Sequence, residues 1–437
     1  MPVRWFVPIA ALVVPGALAQ VELAPAGRDL AALLRVQPAG QVVTLGAETY
    51  VVTGPLTVDR TLHLRGVHRD ATHVVFFGSS ATLTLSGDID VTFEGITFER
   101  SGPPDRDLVV ARGDVRLRVS GCRFDGGLPI LVEGPVPTGY GILIELESGT
   151  AELTDNEIGR NAYGVGVGLT SRVTLLGNTI VENAVAGIRF FGDALAAASG
   201  NLVAMNGWGI AVGERADVAL EGNAVSGDFR GGFWFDGDAH GDVVDHVIVS
   251  HAIGVVIGGR ATPTIRGNTI TCAFGSGIVG QGSARPRIGG NEVRDHGGVG
   301  LVFGEDAAGS VVANVIVGNA GNGVLVAGRA ARTLEDNTLT GNGNEGILYQ
   351  DEDGGVARIN VIEGHANVGV LVRTDARLLL EANVLRGNVD GAIEYHQRAG
   401  GAAIGNVCEG EAAIETREQS SPELVGNLCK HLDMRQP

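Results

Sequence analysis

An asparagine followed by any residue and then an apolar one returns along this chain every 21–23 residues, and few folds tolerate so regular a period. The column runs Asn156, Asn178, Asn201, Asn223, Asn268, Asn291, Asn314, Asn337, Asn360, Asn383, Asn406 and Asn427, with His246 filling the single gap in register. Cys122 and Ile96 extend it backwards at longer spacings. A second column is a glycine that opens an aliphatic segment: Gly141, Gly164, Gly187, Gly209, Gly232, Gly254, Gly277, Gly300, Gly323, Gly346, Gly369 and Gly391. Behind it the pattern alternates, as in Gly187-Ile188-Arg189-Phe190, which marks a strand with one face buried. A third short segment precedes each asparagine, as in Val173-Thr174-Leu175.

Three short strands in one period close one coil. Stacked coils pair as parallel strands about 4.8 Å apart and share a core that no single coil could bury. Ile180, Val225, Ile270, Val293 and Ile316 would point inward in a continuous stack, with the asparagines bonding backbone groups at the bends. The expectation is an all-β parallel β-helix of about 14–15 coils. Leucine-rich repeats share the period and the asparagine, and Val173-x-Leu175-x-x-Asn178-x-Ile180 fits the heart of their pattern. Against them, the segment after each asparagine reads as strand rather than helix, and their leading leucine is usually missing.

Residues 1–19 read as a secretion signal: Arg4, an apolar stretch from Val7 to Val14 broken by Pro8, and Ala17-Leu18-Ala19 before Gln20. The apolar run is too short to span a bilayer, and no transmembrane segment is expected in the mature chain. A secreted or periplasmic protein follows. Residues 20–60 would form an N-terminal cap and opening strands, with a cap helix over Arg28 to Val36, whose leucines fall at 30, 33 and 34. Strands are expected at Gln41–Thr44, Thr49–Val52 and Thr61–Arg65. The parallel β-helix would occupy 61–429, with Pro129 to Tyr140 bulging from one coil, and 430–437 would be a frayed tail. A net charge of −18 argues against nucleic acid, which calls for a basic stripe. Cys408 and Cys429 each sit two residues after a column asparagine, so they occupy one inward position on adjacent coils. That spacing lies inside the window for a disulfide, which an oxidising compartment permits.

The Asn-x-Ile and Gly-Ile columns, with the opening Gly54-Pro55-Leu56 and Thr61-Leu62-His63-Leu64-Arg65-Gly66, resemble the right-handed parallel β-helix repeat of the pectate-lyase-like superfamily over roughly residues 27 to 429. The resemblance implies a right-handed solenoid and, on average, interaction with polysaccharide. It is unspecific for chemistry. Polygalacturonases of that superfamily carry Asn-x-Asp, Asp-Asp and Gly-His-Gly. Asn388-Val389-Asp390 matches the first alone, no Asp-Asp pair exists, and His365 precedes where it should follow. Uronan epimerases and lyases carry Tyr-x-x-Asp-x-His. Phe235-Asp236-Gly237-Asp238-Ala239-His240 has that spacing, but phenylalanine cannot transfer a proton and Phe235 falls on the inward phase. Asp236, Asp238 and His240, with Arg230, are the weak catalytic candidates. Calcium is conceivable beside the acidic clusters Asp236, Asp238, Asp242 and Asp351, Glu352, Asp353, and no metal set has ligand spacing.

Outward residues of the glycine strand give the best view of a binding face. Most are bland, including Gly166, Ala211, Val256, Val279, Val302, Leu325 and Leu371. Arg189 and Phe191 on one coil, and Trp234 and Asp236 two coils on, differ. An aromatic beside charged hydrogen-bonders suits a sugar ring. The leading expectation is therefore an exported β-helix that binds polysaccharide or another extracellular glycan along a lateral sheet. The alternatives are a polysaccharide lyase or uronate epimerase with a site near 230–240, and a structural or surface-adhesion protein with no small-ligand site.

Overall fold

The computed structural model describes residues 27–102, 106–128, 138–271, 273–329, 332–352, 354–410 and 412–434. The expected secretion signal, most of the expected bulge at 129–140, Cys272 and Asp353 lie outside those residues.

One coil shows the plan. Arg172–Leu176 leads into Asn178, Thr179–Val181 follows, Ala186–Phe190 comes third, and Leu195–Ser199 begins the next coil. The three strands belong to three sheets, named here the leading sheet, the asparagine sheet and the glycine sheet. Among the described residues each sheet holds 17 strands, and neighbours pair in parallel one coil apart. The result is a right-handed solenoid of about 17 coils, against the 14–15 expected. The surplus lies at the ends. Val42–Leu45, Thr49–Val52 and Pro55–Val58 form a coil without an asparagine, and Lys430–Asp433, expected as tail, pairs with Ala413–Thr416. Alternation and an open strand edge suffice to add a strand there, with no column residue to announce it.

The core is a stack of inward side chains. Ile180, Val203, Val225, Ile248, Ile270 and Val293 pair in register along the asparagine sheet and are fully buried. Burying each such side chain contributes about 1.5–3 kcal/mol. At the first end, helix Leu30–Arg35 covers the core with Leu30 and Leu34, and its N-cap Asp29 accepts from Ala32 N at 3.2 Å.

The corners explain the columns. The residue before each column asparagine adopts a left-handed backbone, with φ of 64° at Gly177, 55° at Asp245 and 62° at Gly290. Glycine and aspartate tolerate that conformation best. The asparagine behind it is buried and bonds along the rod. Asn268 Nδ2 donates to Asn291 Oδ1 at 2.8 Å and to Val243 O at 2.9 Å, and Asn291 Oδ1 also accepts from Asn268 N at 3.0 Å. His246 keeps the line intact by accepting from Asn223 N through Nδ1 at 3.0 Å.

The second corner repeats the device five residues later: Asn161, Asn183, Asn206, Asp228, His251, then His296, Asn319, Asn342, His365 and Asn388, all buried. Asn183 Nδ2 donates to Asn206 Oδ1 at 2.9 Å, and Asn319 Nδ2 to Asn342 Oδ1 at 2.8 Å. The end opposite the helix is held differently. Cys408 and Cys429 form a disulfide with their Cα atoms 4.8 Å apart, and both pack on the core edge.

Candidate functional site

On the outer face of the glycine sheet, one column reads Leu143, Gly166, Arg189, Ala211, Trp234 and Val256 in successive coils. A second, at the strand mouth, reads Tyr140, Tyr163, Ala186, Trp208 and Gly231. Their rings gather outside the sheet. Tyr140 and Tyr163 stack with centroids 4.6 Å apart. Arg189 lies 5.5 Å from the Tyr163 centroid and 5.1 Å from that of Phe191, and its Nη1 donates to Tyr140 Oη at 3.2 Å. Two coils on, Trp208 and Trp234 stack at 5.6 Å. Val110, Tyr140 and Leu143, with Tyr163 and Phe191 against them, form an apolar cluster separate from the core.

Glycines make room for these rings. A Cβ on Gly166 would stand 2.4 Å from the Tyr140 ring, one on Gly168 2.3 Å from Phe191, and one on Gly231 2.3 Å from Trp208. The rings lie flat on the backbone because nothing projects beneath them. Trp234 is 37% exposed and ends the floor on one side. At the other, Asp107 accepts from Tyr140 N at 2.9 Å, and burial pushes its carboxyl up. Burial also raises the Tyr140 phenol, against the lowering pull of Arg189, so its hydroxyl remains a donor at neutral pH.

Of the expected binding residues, Arg189 and Phe191 therefore meet directly. Trp234 and Asp236 lie two coils away, across Ala211 and Gly213, a separation of about 10 Å. Tyr140, Tyr163 and Trp208 went unnoticed in the sequence. Each stands immediately before a glycine of the second column, which is the signal that marks them.

The catalytic candidates do not converge. Phe235 is wholly buried. Asp238 is clamped by Arg260 at 2.6 and 2.5 Å, and that contact holds its carboxyl below the usual range. The same clamp joins Asp193 to Arg215 and Asp375 to Arg398 across other coil pairs, so it ties turn to turn. His240 opens a strand of the leading sheet, where its Nδ1 lies 2.6 Å from Thr262 Oγ1. Arg230 is exposed at the mouth of the glycine strand. Among the described residues, no three histidine, cysteine or carboxylate groups could hold a metal ion.

The family model described as "Right handed beta helix region" matches residues 68–225, 186–332, 231–385 and 310–431. No curated protein matches the sequence. Among solved structures, the Dettilon tailspike protein is similar at 16% identity and TM-score 0.42, over 82% of this chain and 63% of that one. The chain thus spans less than two thirds of the tailspike. The periplasmic alginate epimerase AlgG gives 12% identity and TM-score 0.37, over 92% and 83%. A chain of the Vag8–C1 inhibitor complex gives 11% and 0.46, over 90% and 99%. These likenesses bear on none of the site chemistry.

Proposed function

The chain belongs to the right-handed beta helix family, and on that scaffold we propose that it binds a polysaccharide or other extracellular glycan along the outer face of the glycine sheet, between the coils of Tyr140 and Trp234. One observation carries the reading: five aromatic rings and an arginine gather on one outward face, over glycines that leave them space. Sugars present an apolar ring face edged with hydroxyls. Flat aromatic rings take the face, and Arg189 meets the edge. The separation of about two coils between the tyrosine and tryptophan pairs suits an extended chain rather than a single sugar.

Binding without turnover fits this geometry better than lyase or epimerase chemistry. Proton abstraction needs a base poised near working pH. The Tyr140 phenol is raised rather than lowered, and Asp238 and His240 are engaged elsewhere. Export agrees with the reading of residues 1–19, and the disulfide between Cys408 and Cys429 supports an oxidising compartment. Among the described residues no helix is long and apolar enough to cross a membrane.

A glycan array on the purified protein tests the proposal. The expected result is retention of one glycan class, lost in Trp234→Ala with far-ultraviolet circular dichroism unaltered. Equal retention by that variant would remove the site from this face.

A further inference from the structure

The leading sheet carries a second outward feature of different chemistry. Its strands Arg116–Ser120, Thr150–Thr154, Arg172–Leu176 and Leu195–Ser199 floor a cleft of about 610 Å³. One outward column reads Asp90, Arg116, Thr150, Arg172 and Leu195, and its neighbour reads Thr92, Arg118, Glu152, Thr174 and Ala197. Thr150 stands between Arg116 and Arg172 in the first column, and Thr174 and Ala197 follow Arg118 and Glu152 in the second.

Arg116 is occupied by Asp90 at 2.6 Å and Asp88 at 2.8 Å. Arg118 and Arg172 are exposed, and among the described residues neither makes an ion pair within 4.0 Å. Arginines elsewhere on the rod are commonly paired across coils, as Arg215, Arg260, Arg358 and Arg398 are. Arg118 and Arg172 bring two open guanidinium groups into one cleft of a chain of net charge −18. They stand two coils apart, about 10 Å along the rod, with the hydroxyls of Thr150 and Thr174 in the same columns. Leu195, 40% exposed, closes the row with an apolar surface.

We propose that this cleft binds an anionic sugar chain, carboxylated or sulfated, with Arg118 and Arg172 each taking one acidic group. The planar guanidinium presents paired donors that match both oxyanions. Spaced arginines with hydroxyls between them fit a polymer whose charges recur along a hydroxyl-bearing backbone. Glu152 stands beside Arg118 in the same column and sets a limit on affinity by repelling the ligand. The cleft lies on a different sheet from the aromatic floor, so the two sites stand or fall separately.

The test is calorimetry on the full chain at low ionic strength, with three probes: an oligogalacturonate, dextran sulfate and neutral dextran. Binding of either anionic probe with no response to dextran is expected, and the stronger of the two identifies the acidic group. The double variant Arg118→Ala, Arg172→Ala should weaken binding by at least about tenfold and flatten its salt dependence. Glu152→Gln should tighten it by about two- to fivefold, an effect that misfolding could not mimic. The proposal is overturned by an absence of anionic binding, by dextran binding equally, by wild-type affinity in the double variant, or by no gain in Glu152→Gln.

Discussion

Replacing Asp228 with asparagine should stabilise the rod, and by more as pH rises. In the second corner ladder, Asn206 Nδ2 donates to Ile180 O at 3.2 Å and the His251 ring, through Nε2, bonds Val225 O at 3.1 Å. Asp228 stands between them. Its Oδ1 accepts from Asn206 N at 2.7 Å, while its buried Oδ2 makes no hydrogen bond and faces the His251 Nδ1 at 3.5 Å, a nitrogen that itself accepts from Asp228 N. Burial pushes the carboxyl up to about 8, and burial likewise lowers the neighbouring His251, so both are neutral in the folded protein. The unfolded chain releases the aspartate proton near pH 4. The folded state thus holds a proton that the unfolded state has lost, and stability falls as pH rises from about 4 to about 8. Carried through the linkage relation, the penalty is at most roughly 5–6 kcal/mol, and local relaxation brings it to the order of 3 kcal/mol. Asparagine carries no charge, and its amide can serve the carbonyl of Val203, the position equivalent to Ile180 and Val225. Thermal melting at pH 5, 6, 7 and 8 reads the effect. The variant should melt close to the wild type at pH 5 and clearly above it at pH 8. Parallel curves, or a variant that melts lower at pH 8, would refute a protonated buried carboxyl.

Other outcomes follow from the same structure. His296 and His365 are pushed down to about 4 by burial, so the unfolded chain takes up their protons first and stability should drop as pH falls from about 6.5 towards 4; His296→Asn should lessen that loss in acid melts. Asn291→Ala removes an amide that bonds Ile265 O, Gly289 O and Asn314, and at about 0.5–1.5 kcal/mol per net bond it should lower the melting point measurably. Cys408→Ser with Cys429→Ser opens a link across 21 residues, worth about 3 kcal/mol in the chain-entropy treatment; limited proteolysis should then nick the last coil first. Gly168→Ala should displace the Phe191 ring, 2.3 Å from the added methyl, and weaken glycan binding while the coil signature in circular dichroism persists.

The sequence disclosed the coil because a corner is chemically demanding. The buried amide behind a left-handed residue admits few alternatives, so asparagine recurs in register even where alanine or isoleucine, at Ala313, Ile359 and Ala382, takes the left-handed position that glycine or aspartate fills elsewhere. Strands demand less, which is why the opening coils and Lys430–Asp433 left no column to count. The second ladder escaped notice for the opposite reason. Asparagine at 206, aspartate at 228 and histidine at 251 all serve one hydrogen-bond position, so residue identity hides the repeat.

Arg189, Phe191 and Trp234 were legible from outward phase. Tyr163 was not, because it lies two residues before the inward Val165 and strict alternation would bury it. The ring nevertheless stacks on Tyr140 outside the sheet, beside Gly164, where a Cβ would meet Gly187 O at 2.5 Å. Gly166 read as bland, yet its missing side chain is what the Tyr140 ring rests on.

Trp208 and Trp234 are two of the three tryptophans in the chain, and both belong to the proposed glycan floor. Intrinsic tryptophan emission therefore reports on that face directly. The most direct measurement is a fluorescence titration of the Arg118→Ala, Arg172→Ala protein with a glycan that it retains on the array. A saturable change in intensity or wavelength, with a midpoint matching the calorimetric affinity, is expected. Saturation by calorimetry with emission unmoved would contradict the assignment of the binding face.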